Sequence, residues 1–209
     1  MTINVNSRLA IVGAMLCLGF GGSALAQAAV WCPPPGTVVT GRSSSGPYTG
    51  TSNGTDPNDP TVCIRVATGP GLGTDYNKPV LRMYGWYDMT SYDFSTDTLS
   101  SMRDGLGAIL SGRSTQVTFK MTITNRGTHY GWSGTQTWQR MGETTLTIGG
   151  KAVKVIALRA TFEGGANSSY TGFTDTWYSP EFHMFVKNET HRGNGPISSS
   201  FEAESISLR

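Results

Sequence analysis

From Thr115 onward the chain alternates. Between Thr115 and Asn125, Val117, Phe119, Met121 and Ile123 take one parity, and Thr118, Lys120, Thr122 and Thr124 take the other. Successive side chains of a strand point to opposite faces, so this segment predicts a strand with one buried and one wet face. Extended segments are expected at His129 to Met141, Glu143 to Ile148, Lys151 to Phe162, Tyr170 to Tyr178, Phe182 to Asn188 and Ser200 to Leu208. Gly149-Gly150 separates two of them, and a two-residue Gly-Gly link favours the hairpin turn that needs positive φ at both positions. Ser179-Pro180 breaks the run TDTWYSPEFHMFVKNET into a second hairpin, because proline cannot donate to a ladder. On its return strand Phe182, Met184 and Val186 would share one face, and His183, Phe185 and Lys187 the other.

Only one stretch changes period. Leu99, Met102, Leu106, Ile109 and Leu110 recur at helical spacing and predict a helix over 97–111 with Asp97 as its N-cap. Gly105 and Gly107 weaken it by about 1 kcal/mol each relative to alanine. Before the helix, Thr61 to Ala67 (TVCIRVA) reads as a strand and Pro79 to Tyr87 as an extended aromatic segment. Residues 27–60 read as loop, with short extended pieces near Thr37 to Thr40.

The first 26 residues are of another kind. Arg8 precedes an apolar run from Leu9 to Phe20, and Ala24-Leu25-Ala26 fits the small-x-small pattern of signal-peptidase cleavage. Residues 1–26 are therefore expected to be a secretory signal peptide, the mature chain starting at Gln27 in the periplasm or outside the cell. Leu16 before Cys17 argues against a lipid-modified cysteine. No second apolar stretch has spanning length. The closing strand FEAESISLR lacks a terminal aromatic, which with the helix and the disulfide argues against an outer-membrane barrel.

Composition narrows the class further. The charged fraction is 14% and the formal net charge of the whole chain is +2. Neither a nucleic acid nor an anionic membrane is suggested as a partner. Abundant Gly, Ser and Thr suit a β-rich exported protein rather than a helical bundle. After cleavage only Cys32 and Cys63 remain, and in an oxidising compartment they are expected to pair. Such a bridge stabilises by roughly 3 kcal/mol in the chain-entropy view. No Cys-x-x-Cys is present to suggest redox work.

Thr144 to Gly164 (TTLTIGGKAVKVIALRATFEG) and Thr174 to Glu189 (TDTWYSPEFHMFVKNE) resemble hairpins of the LolA/LolB-like and DUF3108-like exported bacterial proteins. The resemblance covers roughly Thr115 to Leu208. His183 or Met184 stands where that family carries a glycine. The resemblance implies a non-enzymatic curved sheet with a concave face, used in some relatives to hold lipid or to contact a partner. It carries no catalytic residue across.

Candidate chemistry is sparse. His129, His183 and His191 have no zinc spacing, although His183, His191 and Glu181 could meet in space. No Gly-x-Ser-x-Gly elbow occurs. The segment TDPNDP offers Asp56, Asn58 and Asp59 as calcium oxygens, but the downstream bidentate glutamate of a calcium-binding loop is missing. GPGLGTD, Gly69 to Asp75, reads as a turn. Trp132, Trp138 and Trp177 are candidate ligand-binding aromatics, with core packing the competing role. Trp132 and Trp138 have the same parity and would share a face.

The expected fold class is mainly β: a curved antiparallel sheet or half-barrel of six to eight strands, one short helix and a disulfide-tied N-terminal lobe. The domains are 1–26 as signal and 27–209 as one unit, with the loop-rich lobe at 27–78, the helix at 97–111 and the sheet at 115–208. No catalytic, metal or cofactor site is expected. The expected role is binding or envelope interaction, with a hydrophobic ligand or an envelope protein as partner. The alternatives are a carbohydrate-binding module and a hydrolase of unrecognised type.

Overall fold

A computed structural model describes residues 32–69, 80–165 and 171–208. The signal segment, Trp31, the loop beyond Gly69 and most of GGANSS lie outside the described residues.

The elements run β1 (Val38–Ser43), β2 (Gly46–Asp56), β3 (Asp59–Thr68), β4 (Val80–Tyr84), β5 (Tyr87–Asp88), β6 (Tyr92–Phe94), α1 (Thr96–Leu110), β7 (Gln116–Asn125), β8 (Gly131–Ile148), β9 (Lys151–Gly164), β10 (Thr171–Ser179), β11 (Met184–Arg192) and β12 (Ile197–Ser207). All twelve strands join one antiparallel sheet in the order β5-β4-β3-β2-β1-β12-β11-β10-β9-β8-β7-β6. Every neighbour is also a chain neighbour except β1 and β12. That one pair joins an N-terminal meander to a C-terminal meander. The sheet is mainly β, barrel-like and nearly closed, with one helix and the N-terminal disulfide.

The two edge strands, β5 and β6, are only three residues apart in sequence. Their linker sews the seam. Met89 N–H donates to Arg82 O of β4, and Arg126 N–H beyond β7 donates to Ser91 O. The Tyr87 and Phe94 rings meet edge-on at 5.6 Å across it.

Four expectations change in the structure. Twelve strands stand where the sequence pattern predicts six to eight. Two of the extra strands, β1 and β2, come from residues 36–60, expected to be loop with short extended pieces near Thr37 to Thr40. There the buried side of β2 carries Gly50, Ser52, Gly54 and Asp56 instead of large apolar residues. It packs beneath the segment that Cys32 leads, where Ser52 Oγ donates to Pro33 O at 2.8 Å and Gly36 N–H donates to Ser52 O at 2.8 Å. The Cys32–Cys63 disulfide ties that segment to β3 with 5.3 Å between Cα atoms. The segments expected at His129 to Met141 and Glu143 to Ile148 are one strand, β8, with a bulge between Arg140 and Gly142. The helix is capped by Ser95, whose Oγ accepts from Thr98 N–H, and Asp97 sits in the first turn.

Other expectations hold. Gly149 and Gly150 have φ of 57° and 76° and turn β8 into β9. The β7 alternation buries Phe119, Met121 and Ile123 on one side. Phe185 belongs to one apolar cluster and Met184 and Val186 to another, as predicted, but a register shift beside Tyr178 turns Lys187 away from Phe185 and over the Trp177 ring.

The main cluster fills the concave side with Tyr84, Trp138, Leu158, Phe162, Tyr178 and the buried stripe of α1, Met102, Leu106 and Ile109. In the smaller one the tip of the β8–β9 hairpin lays Val153 and Val155 against Val39, Val186 and Ala203. The two take opposite faces along β9, whereas Val39 shares the face of Cys63 through its pairing with Gly50 and the pairing of Gly50 with Ala67. Gly149 N–H fixes that tip by donating to Glu204 O at 2.8 Å.

Helix α1 is fastened to both sides of the interior. Thr98 Oγ1 accepts from Thr122 N–H of β7 at 2.9 Å. Arg140, at the β8 bulge, donates to the carbonyls of Ile109 and Leu110 at the helix C-terminus, where orphan acceptors and the helix dipole favour a cation. On the far side Arg103 meets Asp59 at 2.7 Å. Gly105 is explained by contact: a Cβ there would lie 2.9 Å from Val117 Cγ1.

The closing pair has its own requirement. A Cβ on Gly41 of β1 would lie 2.3 Å from Glu202 O of β12. Backbone cannot swing aside as a side chain can, so only glycine fits. Gly41→Ala is expected to destabilise the fold by roughly 1–3 kcal/mol, read as a lowered denaturant midpoint. An unchanged midpoint would show that β1 and β12 do not need this close approach.

The Asp56 carboxylate is buried and meets Arg82 Nε at 2.8 Å. The Asn58 N–H bond, followed by Arg82 and opposed by burial, holds its pKa below the usual value. A depressed carboxylate stabilises fully above its unfolded pKa of about 3.9, and the effect is lost as pH falls through the folded value. Asp56→Asn is therefore expected to lower stability at pH 6 and to flatten its decline below pH ~4, as followed by thermal melts across pH.

Candidate functional site

A barrel of about eight strands is filled by its own side chains, and larger ones leave interior space. Here twelve strands curve around a concave face, and α1 occupies only part of it. Two cavities remain, and both are lined by residues of the main cluster.

The first, about 340 Å³, has Leu81, Met83, Trp86, Phe185 and Phe201 as its apolar wall. Its polar positions include Tyr48, Arg65, Asn188 and serines of the β1–β2 turn and β12. The second, about 500 Å³, is walled by Met121, Trp132 and Phe162, with Tyr87, Gln136 and Arg192 among its polar positions. Trp86 lines one and Tyr87 the other. Their rings are 5.1 Å apart, and they form the partition between the two spaces. Both volumes fall in the range of about 300–1,000 Å³ typical of small-molecule sites.

Register explains which side chains reach the interior. On β3, Cys63 pairs with Met83 and Arg65 with Leu81. Cys63, Arg65 and Ala67 have one parity, and Cys63 is in the main cluster, so Arg65 faces inward. On β11, Asn188 pairs with both Thr176 and Phe201.

The polar groups of the partition are anchored. Tyr87 Oη donates to Oε1 of the buried Gln136. Burial pushes the Tyr87 phenol well above its ordinary range, as it does for Tyr84 and Tyr178. All three stay neutral at physiological pH.

Charge is distributed unevenly. Of nine arginines among the described residues, six form ion pairs with carboxylates: Arg42, Arg82, Arg103, Arg126, Arg140 and Arg159. The remaining three are Arg113, exposed beyond the helix, and the two cavity arginines, Arg65 and Arg192. No Asp or Glu among the described residues lines either cavity. The half-buried Arg65 has one polar contact among the described residues, Nη1 donating to Tyr48 Oη at 3.4 Å.

The tryptophans singled out from the sequence are spread apart. Trp132 lines the second cavity. Trp138 is fully buried, edge-on to Phe119 at 5.1 Å, which removes it from any surface platform. Trp132 and Trp138 do share the concave face. Trp177 packs against the smaller cluster, with Lys187 Nζ 5.1 Å from its ring. The calcium candidates are engaged otherwise: Asp56 holds Arg82 and Asp59 holds Arg103. No group of three metal-ligating side chains gathers among the described residues. His191 stacks on Phe173 at 4.3 Å. His183, in the β10–β11 turn, has a φ of 51°.

Arg65 did not stand out in the sequence. The available signal was a lone cation on the same parity as Cys63 within an otherwise apolar strand.

No family model matches the chain. A search of curated proteins finds no match. The fold is similar to that of the hypothetical lipoprotein YmcC of Escherichia coli K12, with a TM-score of 0.52, 11% identity, and 81% of this chain and 86% of that one covered. A protein of Parabacteroides distasonis, provisionally described as a lipoprotein, gives 0.46 at 11% identity over 86% of this chain and 99% of that one. An exported protein of Bacteroides fragilis, likewise provisionally described and with a YmcC-like fold, gives 0.47 at 10% identity over 87% and 100%. At these identities the likeness concerns the fold alone. No helix among the described residues is long and apolar enough to cross a membrane.

Replacing Tyr87 by Phe leaves the buried Gln136 carbonyl without its donor. Tyr87→Phe is expected to cost about 1–3 kcal/mol, measured by urea unfolding. A loss below a few tenths would mean that the partition is not held by this bond.

Proposed function

We propose that this chain is an exported, non-enzymatic binding protein that holds a small apolar or amphipathic molecule inside its barrel-like sheet. The observation that carries this reading is the pair of half-open cavities in the curved sheet, each with an apolar wall. A protein that needed its interior only for stability would gain by filling that space, because empty lining forfeits packing contacts. The N-terminal pattern of residues 1–26 supports export, to the periplasm or the outside. The resemblance of Thr115 to Leu208 to LolA/LolB-like and DUF3108-like sheets agrees with a hydrophobic ligand.

Native mass spectrometry of the mature chain, purified gently from the periplasm, tests this. The expected result is a bound species of lipid-like mass that is lost on organic extraction. A bare mass, together with no uptake of any alkyl probe, would overturn the reading.

A further inference from the structure

We infer that the first cavity recognises an anionic head group, a carboxylate or a phosphate, through Arg65. This deepens the proposed function and rests on it: the barrel interior must first be a ligand site.

Leaving a cation half out of water has a cost. Removing charge from solvent is expensive unless an opposite charge or hydrogen bonds compensate. This protein meets that need with a carboxylate for each of the other half-buried arginines among the described residues, Arg82, Arg103, Arg140 and Arg159. Arg65 faces the interior from the middle of β3 with no acid among the described residues lining its cavity. Its guanidinium, with five donors in a planar fork, has one 3.4 Å contact to Tyr48 Oη among the described residues. Most of its donor capacity is thus unspent.

The surroundings leave room for that donor set. A Cβ on Gly50 would lie 2.5 Å from Tyr48 Oη and 3.0 Å from Arg65 Cδ, so glycine makes space for the pair. Tyr48 is braced edge-on against Phe201 at 5.3 Å. Asn188 adds an amide at the same cavity. The opposite wall is apolar, with Trp86 edge-on to Phe185 at 4.8 Å. One cation, two neutral polar groups and an aromatic wall define a site for an amphipathic anion. A planar carboxylate or a phosphate meets the arginine fork in bidentate fashion.

Isothermal titration with three probes of equal chain length tests the inference: decanoate, decyl phosphate and uncharged decanol. The wild-type chain is expected to bind at least one anionic probe more than tenfold tighter than decanol. Arg65→Gln should abolish that preference while leaving decanol affinity within about twofold. Arg65→Lys should retain part of it, and Tyr48→Phe should weaken anion binding while leaving Arg65 in place. Thermal melts check that each variant is folded. The relative affinity of decanoate and decyl phosphate distinguishes a carboxylate from a phosphate head group. Equal binding of all three probes, with no effect of Arg65→Gln, would overturn the anion site yet leave the interior as an apolar pocket. Binding of no probe would overturn both.

Discussion

The pairing of β1 with β12 is the constraint on which the rest of the structure depends. Each other ladder joins strands that follow one another in the chain. This one brings Val38–Ser43 against Ile197–Ser207 and turns two meanders into a single sheet. Without it β2 to β5 would have no route to the C-terminal strands except the short β5–β6 linker, and there would be no interior. The pairing demands a close backbone approach at Gly41 and a register shift between Thr40 and Gly41. Such bulges bend a sheet and sharpen its twist. The smaller cluster then gathers Val153 and Val155 of the β8–β9 hairpin against Val39 and Ala203 of this pair.

Closure creates a space, and the helix answers only part of it. Helix α1 places Met102, Leu106 and Ile109 against the concave wall and is held by Thr122, Arg140 and Asp59 around it. That three-sided attachment makes the helix a fixed plug, so the cavities beside it are a property of the packed fold. The electrostatics follow the same division. Arginines that hold the architecture together have carboxylate partners: Arg82 and Arg103 staple the β2–β3 turn to β4 and α1. Arginines that line the cavities have none among the described residues.

Much of the C-terminal half was legible in the sequence because its burial is hydrophobic and periodic. The β7 alternation, the Gly149-Gly150 turn, the two faces of β11 and the helical stripe each follow from one local rule. The N-terminal strands were illegible for a physical reason. Apart from Val39, the buried positions of β1 and β2 are Gly41, Gly50, Ser52, Gly54 and Asp56, which are concealed by close backbone packing, the disulfide-tied segment and hydrogen bonds rather than by apolar bulk. Such residues read as turn formers. The tryptophans show a related limit. Periodicity placed Trp132 and Trp138 on one face, but whether that face was exposed or interior depended on β1–β12 closure, 165 residues apart between Thr40 and Ser205. Arg65 was hidden likewise, since only the pairing of β3 with β4 shows that it points at Leu81, Trp86 and Phe185 across a shared space.

A crystal structure of the mature chain with decyl phosphate tests the central claim most directly. The account predicts an alkyl chain inside the sheet, with its phosphate in hydrogen-bonding contact with Arg65. The chain would rest against the packed Trp86 and Phe185 rings rather than part them. An alkyl chain bound on the outer face beside Trp177, with only water in the interior, would contradict this placement.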